Sequence, residues 1–404
     1  MTDSARPRLI TAPFLIVTLA TGAFFVFVGM AVTVLPRFIQ NELGGDGLAI
    51  GINLAVFSVA AIAARPTIAR IGDRYGRRTL MVGGALIAGT GAAATSFVHS
   101  IAALLPLRAF TGIGEAALFV GAATLIADLS PSDRRAEGAS YFSLAVFGGL
   151  GIGPVIGEIV LGDGRYQAVF LASAVACAIA ALIALAAPNR VAGVATAAPT
   201  EGRRPGFHRA ALVPGLVLAC GIGGFAAFTA FLPTHAESLG MPAAGPFVVY
   251  SVLCLGLRLF GARLPERIGL GNALTSALTG LTAGLLVLAA VGQPRGVYLG
   301  TVVISLGMAL LYPSLMAFTV DSVREEDRAR VLASFTMFFE VGTVGGGLLL
   351  GPVAQFAGDR GAFVGGAVIA VMGLWVLRRW LLPVARERRP VVTPVFDGGM
   401  VAGD

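Results

Sequence analysis

Residues 65–76 read RPTIARIGDRYG, and residues 258–269 read RLFGARLPERIG. Arg65, Arg70, Asp73, Arg74 and Gly76 of the first stretch return in order as Arg258, Arg263, Glu266, Arg267 and Gly269 of the second. Farther along, Asp133, Arg134, Ala139, Ser140, Gly148, Gly151 and Gly153 return as Asp327, Arg328, Ala333, Ser334, Gly342, Gly345 and Gly347. A chain with 55 glycines repeats some of them by chance. It does not repeat ordered charges at a near-constant offset, so an internal duplication is the better account. Leu35-Pro36 and Leu232-Pro233 are expected to end the first helix of each copy.

Composition says what was duplicated. Only 13% of the 404 residues are charged and 56% are hydrophobic, with a mean hydropathy of +0.85. Soluble domains carry about 25% charged residues, so a soluble globule and a disordered chain are both excluded. A membrane-spanning helix needs ~20 apolar residues. Twelve such segments can be placed, near 12–36, 47–69, 79–98, 101–127, 139–161, 167–187, 210–233, 244–262, 272–292, 296–320, 331–356 and 361–377. The first apolar run is too long for a signal-peptide core and reads as the first of them. The predicted fold is therefore an all-α polytopic membrane protein, with twelve transmembrane helices in two pseudo-symmetric six-helix bundles. The bundles occupy 1–187 and 210–383, joined by a Pro/Gly/Thr-containing linker at 188–209 and followed by a tail at 384–404.

Every basic residue is an arginine, and the net charge is +7. With the N-terminus inside, most arginines fall at cytoplasmic ends and loops. The exceptions are Arg37, Arg165, Arg295 and Arg360 outside and Arg65, Arg108 and Arg258 within the membrane. That asymmetry predicts both termini in the cytoplasm of a plasma-membrane (inner-membrane) protein, and it explains the basic pI better than nucleic-acid binding does. Cys177, Cys220 and Cys254 stand alone, and no metal or nucleophile–base set is apparent, so neither a metal site nor an enzyme is expected.

The loop signature ARIGDRYGRR at 69–78 closely resembles that of the major facilitator superfamily, and two further stretches resemble its drug:proton antiporter branch. LLPLRAFTGIGEAA at 104–117 is similar to the fourth-helix pattern, through Leu104, Arg108, Gly112 and Gly114. GLGIGPVIGE at 149–158 is similar to the fifth-helix antiporter pattern, through Gly149, Gly153, Pro154 and Gly157. Glu115 and Glu158 stand where small residues are typical, and Thr111 where glutamine is common. The resemblance implies two bundles that rock about a midplane site. It also implies a cytoplasmic latch in which Asp73, at the inner end of the second helix, faces the start of the eleventh, among Arg74, Gly76, Arg77, Arg78 and Asp128. Glu266 and Arg267 form the second copy. The fifth-helix glycines and Pro154 would let a helix of the other half approach closely.

An ionisable group at membrane depth is costly and is a functional candidate by default. Arg108 and Glu115 are seven apart, on one helix face, with ~10 Å of rise between them. Glu115 is the expected proton site, working with Arg108, and Glu340, among Phe338, Phe339 and glycines, is the secondary one. Glu158 reads as a solvated acid near the outer mouth, and Arg65 and Arg258 as snorkelling to the interface. Phe24, Phe25, Phe27, Phe225 and Phe228 are candidate walls of a substrate cavity. Trp375 and Trp380 read as interfacial anchors. The reading that follows is a monomeric exporter of small amphipathic organic molecules, driven by the proton gradient without a bound cofactor. Its partners would be substrate, protons and the bilayer. Uptake of a sugar or organic acid is the alternative within transport, and a transport-inactive sensor or scaffold the alternative outside it.

Overall fold

The computed structural model describes residues 9–131, 134–190, 207–260, 267–324 and 327–383. Helices α1 (Ala12–Asn41), α2 (Gly47–Tyr75), α3 (Arg77–Thr95), α4 (Ile101–Leu129), α5 (Arg135–Leu161) and α6 (Tyr166–Leu185) make the first bundle. The second holds α7 (Leu212–Ser238), α8 (Ala244–Phe260), α9 (Leu270–Ala290) and α10 (Pro294–Asp321). It ends with the stretch Arg328–Val376, which Gly358 (φ 66°, ψ −173°) breaks into two arms. We number these α11 (328–357) and α12 (359–376). Among the described residues, nine helical stretches are long and apolar enough to cross a membrane, Arg330–Leu381 counting once. The chain is a multi-pass membrane protein.

Side-chain caps start several helices: Thr11 Oγ1 accepts from the Phe14 amide (3.4 Å), Asp46 Oδ1 from Ala49 (3.0 Å) and Ser100 Oγ from Ala103 (3.3 Å). The turns preserve the duplication in backbone geometry. Positive φ occurs at Gly44 and Gly240, at Gly76 and Gly269, and at Gly164 and Gly358, three pairs at almost the repeat offset. An L-residue with a side chain is strained there, so the glycines are required in both copies.

Two helix boundaries differ from the sequence reading. Pro36 and Pro233 do not end α1 and α7; both lie inside helices that run on to Asn41 and Ser238. A proline frees only one carbonyl, and neighbouring helices can satisfy it in a membrane bundle. The signature at 69–78 is also not a loop: α2 continues through Asp73 and Arg74 to Tyr75, and only Gly76 separates it from α3.

Within the first bundle α1 packs on α5 and α6, and α3 on α4 and α6; within the second α7 packs on α11 and α12, and α9 on α10. Between bundles the contacts are α2 with α11, α5 with α8, and α1 with α7. One end of the molecule carries Arg74, Arg77, Arg78, Arg190, Arg378 and Arg379; we call it the basic end and the other the distal end. An apolar cluster joins the bundles, and its first-bundle members lie toward the distal end: Met30, Val34, Phe38 and Ile50, with Phe231, Phe247 and Leu350 across from them. Toward the basic end the first bundle keeps its own core, with Phe14, Val17, Met81 and Leu125.

Candidate functional site

Between α2 and α11 the backbones come together distally. A Cβ on Gly351 would fall 3.2 Å from the Gly51 Cα, and one on Gly347 3.3 Å from the Ala55 nitrogen. Small residues on both helices permit this approach. Deeper along the same seam the chemistry changes. Arg65 of α2 places Nη2 3.6 Å from Glu340 Oε1 of α11, with side-chain exposures of 21% and 9%. Glu115 of α4 has Glu340 and Arg65 as its charged neighbours. Ser58, buried one turn pair before Arg65, stands beside the Glu340 carboxyl, and its Oγ finds no partner of hydrogen-bonding geometry. Glu340 thus pairs with Arg65 while Glu115 lies near both, on three helices and across the two bundles.

The arrangement corrects the part assigned to Arg65. It does not snorkel to the interface; it faces Glu340, and its buried Nε has no partner. Arg108 is not brought to this cluster. Its guanidinium lies over the Phe57 ring at 4.6 Å, a cation–π contact, and Nη1 donates to Thr111 Oγ1 at 3.3 Å. Among the described residues it makes no ion pair, and it does not pair with Glu115. The seven-residue spacing put the two on one face of α4, yet their rise keeps them on separate levels. Arg258's side chain lies outside the described residues.

Glu158 is not a free acid at the mouth. Arg37 grips it with two contacts, Nη1–Oε1 at 3.2 Å and Nη2–Oε2 at 2.5 Å, and the arginine Nε also donates to the Thr33 carbonyl at 3.2 Å. The pair ties α1 to α5 inside the first bundle. At the distal tip, Asn41 Nδ2 donates both to the Tyr166 hydroxyl (3.1 Å) and, across the bundles, to Glu237 Oε1 (3.0 Å).

The fifth-helix pattern packs within its own half, contrary to the expectation. A Cβ on Gly149 would meet Phe25 of α1, one on Gly153 would meet Gly29, and one on Gly157 would lie 3.3 Å from the Met30 Cα. A Cβ on Gly29 would in turn lie 2.9 Å from Pro154 Cδ. The face of α5 that meets the other half is the one carrying Gly151, opposite Ser251 of α8.

At the basic end, Asp73 pairs with Arg77 (2.8 Å) and stays 67% exposed rather than reaching the start of α11. Arg74 lies over Tyr75 at 5.2 Å, and Arg78 Nη1 donates to the Leu185 carbonyl at 3.5 Å. What holds the motif is the start of the linker. Asn189 Nδ2 donates to the Tyr75 carbonyl, Arg77 N to the Asn189 carbonyl (3.0 Å each), and Arg190 Nη2 to the Arg74 carbonyl (3.0 Å). A cation there suits the negative end of the α2 dipole. Arg267 is exposed, Asp128 is half-buried near the end of α4, and Glu266 lies outside the described residues.

Of the phenylalanines, Phe24 and Phe228 are completely buried and present no surface to a cavity in this conformation. Phe25 and Phe27 are buried against Phe24. Phe225 stacks on Phe228 and on Tyr250 of α8 at 5.4 and 5.2 Å, beside the inter-bundle face.

Among the described residues, apolar helices in two like bundles meet at a seam of opposed charge, an architecture that suits a membrane transporter. The chain belongs to the Major Facilitator Superfamily, whose family model matches residues 17–304 and 273–399. It is 27% identical over 363 residues to an uncharacterized MFS-type transporter of Burkholderia mallei, covering 87% of each chain. To one of Salmonella typhimurium it is 26% identical over 375 residues, covering 87% of this chain and 92% of the other. Among solved structures it is similar to a bacterial homolog of the human lysosomal transporter Spinster, in an inward-facing and occupied conformation. That match has a TM-score of 0.74 and 14% identity over 91% of this chain and 97% of that one. Its match to the nucleoside transporter NupG has a TM-score of 0.70 and 16% identity over 91% and 99%. At such identities these structures share the fold alone.

Proposed function

We propose that this chain exports small amphipathic organic molecules in exchange for protons, by alternating access between its two bundles. The observation that carries the reading is the Arg65–Glu340–Glu115 cluster. It spans the seam that must open and close, and it holds two acids against one base. Counting charges, the set is neutral when it holds one proton and carries −1 when it holds none. At membrane depth that difference is large, so the proton and a conformation that hydrates the seam are linked. Substrate would meet the aromatic face around Phe225 and Tyr250 once the bundles part.

The arginine distribution supports a cytoplasmic basic end and cytoplasmic termini. On that orientation the contacts described between bundles lie in the distal and middle thirds, while Ile71, Asp73 and Tyr75 at the basic end are exposed. This is the pattern of an inward-facing state. The latch of Asp73 toward α11 would then form only when the basic end closes, and the Gly76 hinge and linker strap would hold α2 ready for it.

Purified protein in liposomes, given an imposed pH gradient and screened against a panel of amphipathic compounds, tests the reading. Gradient-driven flux that is abolished by Glu115→Gln, in a protein that still purifies as a folded species, is the expected result. Undiminished flux in that variant removes Glu115 from the mechanism, and uptake of sugars or organic acids along the gradient selects the alternative.

A further inference from the structure

A second built feature lies far from the seam, at the basic end of α12. After Val376 the backbone widens into one π-turn, Leu377–Leu381. Five residues make more than one turn of an α-helix, so Trp375 and Trp380 would ordinarily diverge around it. The π-turn instead brings their rings edge to face, with centroids 5.1 Å apart. π-turns of this kind often mark functional positions.

An open cavity of about 360 Å³ is lined by Val371, Leu374, Trp375, Arg378 and Arg379, with Trp380 reaching it only through its contact with Trp375. Both arginines are exposed, and among the described residues neither has an acidic partner. Its lining contains no acid. Away from the basic end the cavity runs into an apolar face of α12, exposed at Val364 (45%), Val368 (55%), Val371 (49%) and Met372 (57%). Cationic donors at the rim, indoles at headgroup level and an aliphatic track leading toward the bilayer centre form one amphipathic site.

We propose that this cavity binds an anionic glycerophospholipid, its phosphate between Arg378 and Arg379, its glycerol region against the tryptophans and an acyl chain along Val371 and Val368. Charge complementarity selects an anionic over a zwitterionic headgroup, by about fivefold for each arginine near the membrane surface. The aliphatic track selects a lipid over a free anion. The transport reading plays no part in this assignment.

The chain contains only two tryptophans, Trp375 and Trp380, so intrinsic fluorescence reports this site alone. The full chain is reconstituted in phosphatidylcholine vesicles containing a small fraction of brominated phosphatidylglycerol or, in parallel, the same fraction of brominated phosphatidylcholine. Bromine quenches a nearby indole. The expected result is severalfold steeper quenching by the phosphatidylglycerol. In R378Q/R379Q that preference disappears, and quenching by brominated phosphatidylcholine is unchanged. Each single variant loses about half of the preference, which keeps the test open should the double variant fail to reconstitute. Equal quenching by the two lipids in the native chain overturns the proposal, as does a preference that survives the double substitution. A third arm adds inorganic phosphate to the detergent-solubilised protein. No change in emission is expected; a saturating change that R378Q/R379Q removes identifies a free-phosphate site and overturns the lipid assignment.

Discussion

The two seams between the bundles are copies of each other by descent, yet they are built from different chemistry. The first joins α2 to α11 and the second joins α8 to α5. Ser58 and Ser251 occupy equivalent positions, one facing Glu340 and the other Gly151. Where the first seam has Glu340, the second has Val146, and where α4 brings Glu115, α10 brings the buried Met308. The glycines differ in use as well. Gly347 and Gly351 close the first seam against α2, whereas their equivalents Gly153 and Gly157 hold α5 to its own bundle. Duplication alone gives two hinges of the same kind. On the proposed function, the two acids beside Arg65 would turn that hinge into a sensor of protonation, whereas the positions equivalent to those acids in the other seam are apolar.

The largest effect is expected when the charged seam is made like its twin. Glu340→Val leaves the half-buried Arg65 without its partner, at a cost below the ~3–5 kcal/mol of breaking a fully buried pair. Thermal unfolding in detergent should show the loss, and gradient-driven flux should fall below a tenth of the native value. Adding Arg65→Leu removes the stranded charge, so the double variant should recover stability, because apolar replacement of a buried pair is often neutral. Flux should not return with it. A double variant that transports under a pH gradient breaks the distinction between the seams. Val146→Glu, the converse exchange, should create no coupling.

A second effect separates the seams by shape. Gly51→Leu forces a side chain against the backbone of Gly347 and Gly351 near the distal end, whereas Gly151→Leu presses on the Cβ and Oγ of Ser251 farther from that end. Overpacking costs about 1–3 kcal/mol where neighbours cannot shift. Because the closed distal end bears that cost, Gly51→Leu should move the population toward distal opening by roughly tenfold or more. Spin labels at positions 41 and 237 should report a longer distance in that variant. Gly151→Leu, which acts on the α5–α8 seam farther from the labels, should lengthen that distance less. Equal shifts in both would show that the two seams close with the same tightness.

A third effect should be confined to one bundle. Arg37→Gln strands the partly buried Glu158 carboxylate, and an unsatisfied charged group of that kind costs about 1–3 kcal/mol. Since the pair joins α1 to α5 within the first bundle, the melting temperature should drop and the 41–237 distance should not change. A change in that distance would mean that the pair acts on the inter-bundle equilibrium.

The architecture was legible because hydropathy and duplication are local, repeated signals. Segment lengths and the Gly76/Gly269 pair follow from them. The helix ends were less so. Pro36, Pro233 and the charged run at 70–74 look like terminators in water, but α1, α2 and α7 carry their hydrogen bonds straight through. The site was legible one residue at a time and not as a set. Glu115 and Glu340 announce themselves as acids in apolar helices, but their company depends on helix order around the bundle. Only packing of α2 between α4 and α11 brings Arg65 to them in place of Arg108. The same limit hid Arg37 and Glu158, which are 121 residues apart and adjacent in space. Glycine spacing in α5 marked a close approach without saying which helix would make it.

The smallest effect is expected at the distal tip, where Asn41 reaches Glu237 across the bundles. This is the one side-chain hydrogen bond described between α1 and α7, and it is exposed, so water competes for both groups. Its net value is then near the low end for a protein hydrogen bond, about 0.5 kcal/mol. Asn41→Ala should therefore lower the closed-to-open ratio of the distal end about twofold, with no loss of melting temperature beyond that. Glu237→Ala should do the same, and the double variant should do no more than either, because both remove the same contact across the bundles, the Asn41–Tyr166 bond lying within the first. A shift as large as that of Gly51→Leu would place distal closure in this polar tie and not in the glycine packing beneath it. No shift in either single variant would leave the α2–α11 backbone contact as what closes the distal end.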